Sequence, residues 1–235
     1  MNTERLAETF VELADTLVDE FDLLDFLYTL VERCAELLDV SAVGLVLADP
    51  RGRLQVMAST TEEARLLELF QLQNDQGPCL ECYQTGNPVT ELDLAAAGDR
   101  WPQFAPAAVA SGFRAVHALP MRLRTEVVGA LNLFHVDPGA LLNSDVLLAQ
   151  ALADVATIGI IQVDLGRRQD VLLTQLQTAL NTRTIIEQAK GVLAERNGIS
   201  PAEAFNNLRN HARSSSIRLS DLAGQVVDGH RIPTG

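Results

Sequence analysis

The sequence predicts an α+β fold, in which helices flank an antiparallel sheet and a long junction helix then leads to a three-helix bundle. Two pairs of apolar runs, each pair separated by a short polar turn, have the spacing of β-hairpins. Around these hairpins, apolar residues recur every three or four positions, as in amphipathic helices. The last third of the chain has helical spacing only. The order helix, hairpin, helices, hairpin, helix is typical of an antiparallel α+β protein.

The elements of the first two thirds follow from this spacing. Helices are predicted at residues 4–18, 23–38, 62–73, 101–111 and from 143 onward. Strands are predicted at residues 42–48, 54–58, 115–121 and 127–134. The motifs Gly77-Pro78 and Thr85-Gly86-Asn87-Pro88 indicate loops around a short helix. The motif Asn143-Ser144-Asp145 is the predicted cap of the last helix in this part.

Three short helices are predicted in the last third of the chain. Asn197-Gly198 is a helix C-terminal signal and ends the first of them. The motif Ser200-Pro201-Ala202-Glu203 begins the second, with Ser as N-cap, Pro at the first helical position and Glu completing a capping box. The run Ser214-Ser215-Ser216 favours a turn, because its side chains compete for backbone hydrogen bonds.

This last segment resembles the ANTAR family over nearly fifty residues. The matching positions are Arg183, Ile186, Ala189, Lys190, Gly191 and Leu193, followed by Ala202, Ala204, Leu208, Ala212 and Leu222-Ala223. ANTAR modules are three-helix RNA-binding units that act as transcription antiterminators by binding paired hairpins in a nascent transcript. The resemblance therefore implies that this chain binds two-hairpin RNA.

The charge of the chain is polarised in a way that agrees with an RNA site in the last third. The net charge at pH 7 is −13, of which residues 167–235 carry +3 and the remainder −16. A polyanion would therefore dock only on the last third. Arg209 and Arg213 are spaced i, i+4 and form one basic stripe, although solvated charges on the outer face of a bundle are an alternative. The candidate RNA-binding residues are Arg183, Lys190, Arg196, Arg209, Arg213 and Arg218.

Two other residues of this segment need an explanation. Gly191 is predicted in the middle of a helix, where glycine costs roughly 1 kcal/mol relative to alanine. Close helix packing and close approach of an RNA backbone are both possible reasons. Phe205 shares a helix face with Leu208 and Ala212, so we predict that it belongs to the core and does not stack on a base.

Residues 23–163 resemble the GAF domain in the version that is fused to ANTAR modules. The similarity rests on the element order and on Asp75-Gln76-Gly77-Pro78-Cys79-Leu80, Thr85-Gly86-Asn87-Pro88-Val89, Gly112-Phe113 and Val128-Gly129-Ala130-Leu131-Asn132-Leu133. GAF domains are small-molecule sensors whose pocket lies between the sheet and the helices that cross it. The resemblance specifies neither ligand nor cofactor. The resemblance implies that the pocket residues are Cys79, Trp101, Phe104 and His117.

Two functions from other classes are alternatives. Cys79 and Cys82 form a C-x-x-C spacing, which suits a redox sensor or a redox enzyme similar to the GAF-type free methionine sulfoxide reductases. A closed metal site is disfavoured because a second pair of ligands at similar spacing is missing. A three-helix basic unit also fits a DNA-binding regulator. The ANTAR-like segment favours a regulator over an enzyme.

The sequence also predicts domain organisation, assembly and location. We expect a sensor domain at residues 1–166 and an RNA-binding domain at residues 167–235. Apolar residues at seven-residue steps predict a weak coiled coil and a homodimer; they are Leu165, Leu172, Ala179, Ile186 and Leu193. Neither a membrane span nor a secretory signal is apparent, and three cysteines agree with a reducing compartment. We therefore expect a cytoplasmic protein.

Overall fold

A computed structural model describes residues 3–15, 23–49, 51–123, 126–165, 170–215 and 217–229 of the chain. Within these residues, an antiparallel sheet has five strands in the order β2-β1-β5-β4-β3. The strands are β1 (Ala42–Ala48), β2 (Leu54–Ser59), β3 (Val89–Glu91), β4 (Ala115–Leu123) and β5 (Glu126–His135). The two predicted hairpins are therefore present, and β1 pairs with β5 to join them at the centre of the sheet.

Nine α-helices occur in the described part of the chain. Six occur in the same part of the chain as the sheet: α1 (Thr3–Asp15), α2 (Leu23–Leu38), α3 (Glu62–Asn74), α4 (Pro78–Thr85), α5 (Phe104–Ala110) and α6 (Asn143–Leu165). We call them and the sheet the sheet domain. The other three form the helical bundle: α7 (Asp170–Asn197), α8 (Pro201–Ser214) and α9 (Leu219–Val227).

The sheet is buried on both faces, and the side chains of each strand alternate between two apolar cores. On β4, Leu119 and Met121 point to the face that α2 and α6 cover, whereas Val116 and Ala118 point to the face that α3, α4 and α5 cover. The first of these cores continues beyond the sheet domain into the helical bundle. The bundle is therefore packed against the sheet domain.

The helical bundle follows the predicted helical pattern closely. Ser200 caps α8 by accepting from the backbone N–H of Glu203, whose carboxylate accepts from the backbone N–H of Ser200. This confirms the predicted capping box. Ile186 and Leu193 of α7 are buried in the bundle core, so they are not available to a seam between two chains. The side chains of Leu165, Leu172 and Ala179 lie outside the described part, as do residues 166–169 at the predicted domain boundary.

The pattern did not predict the edge strand β3 or the 3-10 turn Leu94–Ala96. Each has three residues, which is too short for an apolar period to be recognised. The predicted helix over residues 4–18 is described only as far as Asp15, because residues 16–22 lie outside the described ranges. No helix in the described ranges is long and apolar enough to cross a membrane.

Candidate nucleic-acid interface and sensor core

Arg209 of α8 is inserted into an acidic stripe on α2. Its Nε donates to Asp25 Oδ1 at 3.1 Å, its Nη2 donates to Thr29 Oγ1 at 2.9 Å, and its Nη1 donates to Glu32 Oε1. Asp25, Thr29 and Glu32 are spaced i, i+4, i+7, so they lie on one face of α2. The Arg209 side chain is only 7% exposed. A buried arginine with two carboxylate partners is costly to separate from them.

The electrostatics of this contact keep Arg209 charged. Burial alone would lower the pKa of Arg209, but the hydrogen bond to Glu32 and the charges of Glu32 and Asp25 outweigh it, and the pKa is raised. Arg213, one turn further along α8, donates from Nη2 to Thr29 Oγ1 at 3.2 Å and lies 3.7 Å from Asp25 Oδ1. The predicted i, i+4 basic stripe therefore exists, and it faces an acidic helix of the sheet domain.

An aromatic pair forms the next layer of the same contact. The rings of Tyr28 on α2 and Phe205 on α8 have centroids 4.6 Å apart and are tilted by 46°. Lys190 Nζ lies 5.6 Å from the Phe205 centroid and 3.1 Å from Glu187 Oε2. Phe205 is half-buried against Tyr28 and packs at the edge of the bundle core. Its predicted core role is therefore only partly correct, because its ring mainly joins the two domains.

The remaining predicted cations have different environments. Arg183 is half-buried, and desolvation is the main cause that lowers its pKa. Arg196, at the end of α7, and Arg218, which precedes α9, are exposed. The structure thus gathers Arg209, Arg213 and Lys190 at the junction and leaves Arg196 and Arg218 on the outer surface.

The sheet domain encloses three of the four predicted pocket residues in one apolar core. Cys79, Trp101 and Phe104 are buried together between the sheet and the helices α3, α4 and α5. The rings of Trp101 and Phe104 meet edge to face with centroids 5.9 Å apart, and the Arg100 guanidinium lies 4.4 Å from the Trp101 centroid. Trp101 therefore anchors the core by packing on two neighbours.

His117 is not part of this core. It alternates with Val116 and Ala118 on β4, so its side chain lies on the opposite face of the sheet. His117 Nδ1 is 3.2 Å from Thr90 Oγ1, and His117 Nε2 accepts from the backbone N–H of Leu141 at 3.4 Å. Burial is the main cause that lowers the pKa of His117, which favours the neutral ring. The structure thus separates His117 from the other three residues and gives it hydrogen-bonding neighbours.

A buried carboxyl group lies beside Cys79 and was not predicted. Glu68 of α3 is fully buried; its Oε1 accepts from Asn132 Nδ2 at 2.6 Å and its Oε2 accepts from Gln71 Nε2. Gln71 Oε1 in turn accepts from the backbone N–H of Cys79 at 3.2 Å. Burial raises the pKa of Glu68 to about 7, against hydrogen bonds that lower it. Gly44 makes room for this group, since a Cβ there would collide with the Glu68 carboxylate.

The cysteines are poorly suited to redox or metal chemistry in this conformation. Cys79 and Cys82 are both fully buried and free. Burial raises the pKa of Cys79 well above its ordinary value and that of Cys82 to about 12, so both remain protonated thiols. No group of three or more metal-binding side chains occurs among the residues that the structure describes.

Family comparisons agree with this architecture. Residues 22–160, more than half of the chain, match the GAF domain. The chain belongs to the GAF domain family. Residues 174–227 match the ANTAR domain, and the order is that of a GAF–ANTAR regulator. A GAF domain is a sensor module and an ANTAR domain is an RNA-binding antitermination module, so the sheet domain and the helical bundle carry these two roles.

Solved structures support the GAF fold. The GAF domain of a phosphoenolpyruvate-protein phosphotransferase from Acinetobacter is 16% identical with a TM-score of 0.54, over 72% of this chain and 99% of that chain. The GAF domain of the cyanobacteriochrome TePixJ is 19% identical with a TM-score of 0.51, over 63% and 95%. A free methionine-R-sulfoxide reductase from Neisseria meningitidis is 19% identical with a TM-score of 0.50, over 65% and 86%. No curated protein sequence matches the chain.

Sequence reasoning missed the GAF residues that hold the ANTAR domain. Asp25, Thr29 and Glu32 share a face of α2, and that face has polar residues where the neighbouring faces are apolar. The i, i+4, i+7 spacing of the three residues was a visible signal for a surface that receives a cation. Glu68 was missed for the opposite reason, because a glutamate in an amphipathic helix is typical of an exposed position.

Proposed function

We propose that this GAF–ANTAR protein is a signal-responsive antitermination regulator that binds paired RNA hairpins, and that its GAF domain holds the ANTAR domain in a masked state. The observation that carries the proposal is the burial of Arg209 between Asp25 and Glu32. Phosphate contacts need accessible cations. Arg209 is enclosed, and Arg213 is engaged by the same helix.

The charge of the GAF domain supports masking. The chain outside residues 167–235 carries a net charge of −16 at pH 7, so it repels a polyanion that approaches the docked bundle. The carboxylates of α2 occupy the positions around Arg209 that RNA phosphates would otherwise take. The acidic stripe thus competes directly with RNA for the same cations.

Release of the ANTAR domain would convert the masked state into the RNA-binding state. A signal can shift this equilibrium only if it interacts differently with the two states. We further propose that two copies assemble as a homodimer, with the domain boundary near residues 166 and 167. Two ANTAR domains side by side would engage two hairpins and gain affinity through effective concentration. Such a regulator would act in the cytoplasm, where nascent transcripts occur.

A redox enzyme is supported less well by the same structure. The likeness to the sulfoxide reductase extends to the fold, whereas the thiols of Cys79 and Cys82 are buried and protonated. Thiolate chemistry needs a lowered pKa and access to substrate. We therefore propose a regulatory protein and not an enzyme.

The proposal is tested with the full-length double variant D25N/E32Q. This variant keeps every cation of the ANTAR domain but removes both carboxylates from the docking stripe, leaving Arg209 buried without a counter-charge. Since a hydrogen bond to a charged group contributes about 1.5–3 kcal/mol, we expect two-hairpin RNA to bind at least about tenfold more tightly than to the wild type. The dissociation constant is measured by titration at fixed salt.

The matched control is Glu36→Gln, which changes the same helix at a carboxylate that pairs with Arg33. This control should bind RNA like the wild type. Equal affinities for the wild type, the control and D25N/E32Q would disprove masking. Binding of duplex DNA in preference to hairpin RNA would favour the DNA-binding alternative, and binding of neither would remove the nucleic-acid function.

A further inference from the structure

A cavity of about 310 Å³ lies between the GAF domain and the ANTAR domain, and we call it the junction cavity. Its GAF wall comes from α2, the end of β2 and the start of α3, and its ANTAR wall comes from α7 and the start of α8. This volume is at the lower end of the range for small-molecule sites. The junction cavity is separate from the buried core of Cys79, Trp101 and Phe104, none of which lines it.

Tyr28 presents an unsatisfied donor at the junction cavity. The residue is 8% exposed, and its hydroxyl has no hydrogen-bond partner in the described ranges of the chain. Burial is the main cause that raises its pKa to about 12, so the hydroxyl keeps its proton at neutral pH. The hydroxyl oxygen is not an enclosed atom, so it is accessible from the junction cavity. A ligand in the cavity can therefore accept a hydrogen bond from it.

Positive charge comes to the junction cavity from both domains. Arg65 on the GAF wall and Lys190 on the ANTAR wall have side chains that are 21% and 11% exposed. Each has one carboxylate partner, Glu62 for Arg65 and Glu187 for Lys190. Both pairs therefore offer further donors to a third group that enters between them.

Arg183 adds positive charge near the junction cavity, and this charge favours an anionic ligand. No hydrogen bond or ion pair of its guanidinium is found within the described residues, and burial lowers its pKa. Arg183 does not line the junction cavity, but its charge interacts with Tyr28, Glu62 and Arg65, which do. Arg183, Arg65 and Lys190 are thus three cations beside the two carboxylates of Glu62 and Glu187. Glu32, also on the cavity wall, is already bonded to Arg209.

An apolar surface completes the junction cavity. The tilted, contacting rings of Tyr28 and Phe205 both line it, and each ring belongs to a different domain. Aromatic side chains of this kind favour a planar or apolar ligand group against them. A site with a few placed polar groups and an apolar wall is typical of small-molecule recognition.

We propose that the junction cavity binds a small organic anion, with a carboxylate or phosphate group near Arg65 and Lys190 and an aromatic group against Phe205. The Tyr28 hydroxyl donates to the acidic group of this ligand. Arg183 supplies the excess positive charge that makes an anion preferable to a neutral molecule.

Such a ligand would act as a signal, because both domains contribute walls to its site. It binds only while the ANTAR domain is docked, so its binding free energy adds to the stability of the docked state. The ligand would therefore weaken RNA binding. This consequence rests on the proposed function, whereas binding of the anion does not.

The site is tested by calorimetric titration of phenyl phosphate into the full-length protein. We expect saturable binding in the millimolar range or tighter, and no binding of phenol, which lacks the charge. Tyr28→Phe keeps the ring and removes only a hydroxyl without partners, so the variant should fold normally. It should bind phenyl phosphate about tenfold more weakly. Tyr83→Phe, the same change on α4, is the control and should bind like the wild type.

The outcomes separate this proposal from the masking proposal. Absence of saturable phenyl phosphate binding, or equal affinities of the wild type and Tyr28→Phe, would overturn the site. If phenyl phosphate binds as expected but leaves RNA affinity unchanged, the site stands and its link to masking fails.

Discussion

Glu68 is a residue whose chemistry is strongly altered by its surroundings in the GAF domain. It has no contact with solvent, and the amides of Asn132 and Gln71 hold its two oxygens. Asn132 Oδ1 is the one buried side-chain oxygen or nitrogen without a partner in the described part of the chain. A protonated Glu68, or a glutamine in its place, can donate to this oxygen once the Asn132 amide turns over.

We expect Glu68 to make the stability of the protein depend on pH. Its pKa is about 7 in the folded protein, against an ordinary value of 4.5, so the folded state binds the proton more tightly. The free energy of unfolding should therefore fall as pH rises from about 4.5 through about 7, by about 3 kcal/mol. Glu68→Gln should remove most of this dependence. Urea unfolding at about pH 5 and about pH 8 measures it.

The control for this experiment is Glu63→Gln, an exposed position on the same helix α3. It should retain the pH dependence of the wild type. If Glu68→Gln and Glu63→Gln have the same dependence, another group is responsible and Glu68 titrates near its ordinary pKa.

At the scale of elements, α7 carries a glycine that the fold of one chain does not require. Gly191 lies within the helix and is exposed, and a Cβ built there meets nothing within 4 Å. The prediction that close helix packing requires this glycine is therefore wrong within the described residues. Close approach of an RNA backbone stays a prediction.

Gly191→Ala distinguishes stability from RNA binding. Alanine should raise the free energy of unfolding by about 0.5–1 kcal/mol, because glycine loses more backbone entropy in a helix. Gly224→Ala in α9 is the matched control, since its Cβ would also meet nothing within 4 Å. In the D25N/E32Q background, we expect Gly191→Ala to weaken RNA binding and Gly224→Ala to leave it unchanged. Equal RNA affinities would mean that RNA does not approach Gly191.

At the scale of the whole molecule, the docking contact joins two folding units. The apolar core runs from α2 and α6 of the GAF domain into the ANTAR bundle, and the Arg209 contact lies at the same junction. Without docking, the bundle would depend on its own small core, and small domains bury too little surface to be very stable.

We expect D25N/E32Q to unfold in two steps where the wild type unfolds in one. Trp101, the single tryptophan, reports on the GAF domain, whereas far-UV circular dichroism also reports on the ANTAR helices. In the wild type the two denaturant transitions should coincide. In D25N/E32Q helicity should be lost before Trp101 fluorescence changes, and Glu36→Gln should behave like the wild type. Coincident transitions in all three proteins would show that the carboxylate stripe does not couple the domains.

Local pattern was sufficient for the longer elements and their order, because their signals lie in neighbouring residues, whereas the three-residue strand β3 gave no such signal. Apolar spacing located α2 and both central hairpins, and the Ser200-Pro201-Ala202-Glu203 motif located the start of α8. The resemblance of these motifs to known families implied the order GAF then ANTAR, which the family matches confirm. Signals of this kind act within one or two helical turns, so the rest of the fold does not alter them.

What the tertiary structure alone decided is which surfaces meet. Arg209 is bonded to Asp25, Thr29 and Glu32, which are 177 to 184 positions away along the chain. A charged residue on a helix has the same local pattern whether it faces water, RNA or a second domain, so spacing leaves its partner open. Glu68 accepts a hydrogen bond from Asn132, which is 64 positions away along the chain. Only packing between these distant segments makes an ordinary glutamate a buried acid. Local sequence determined the elements, and packing between distant segments determined their chemistry.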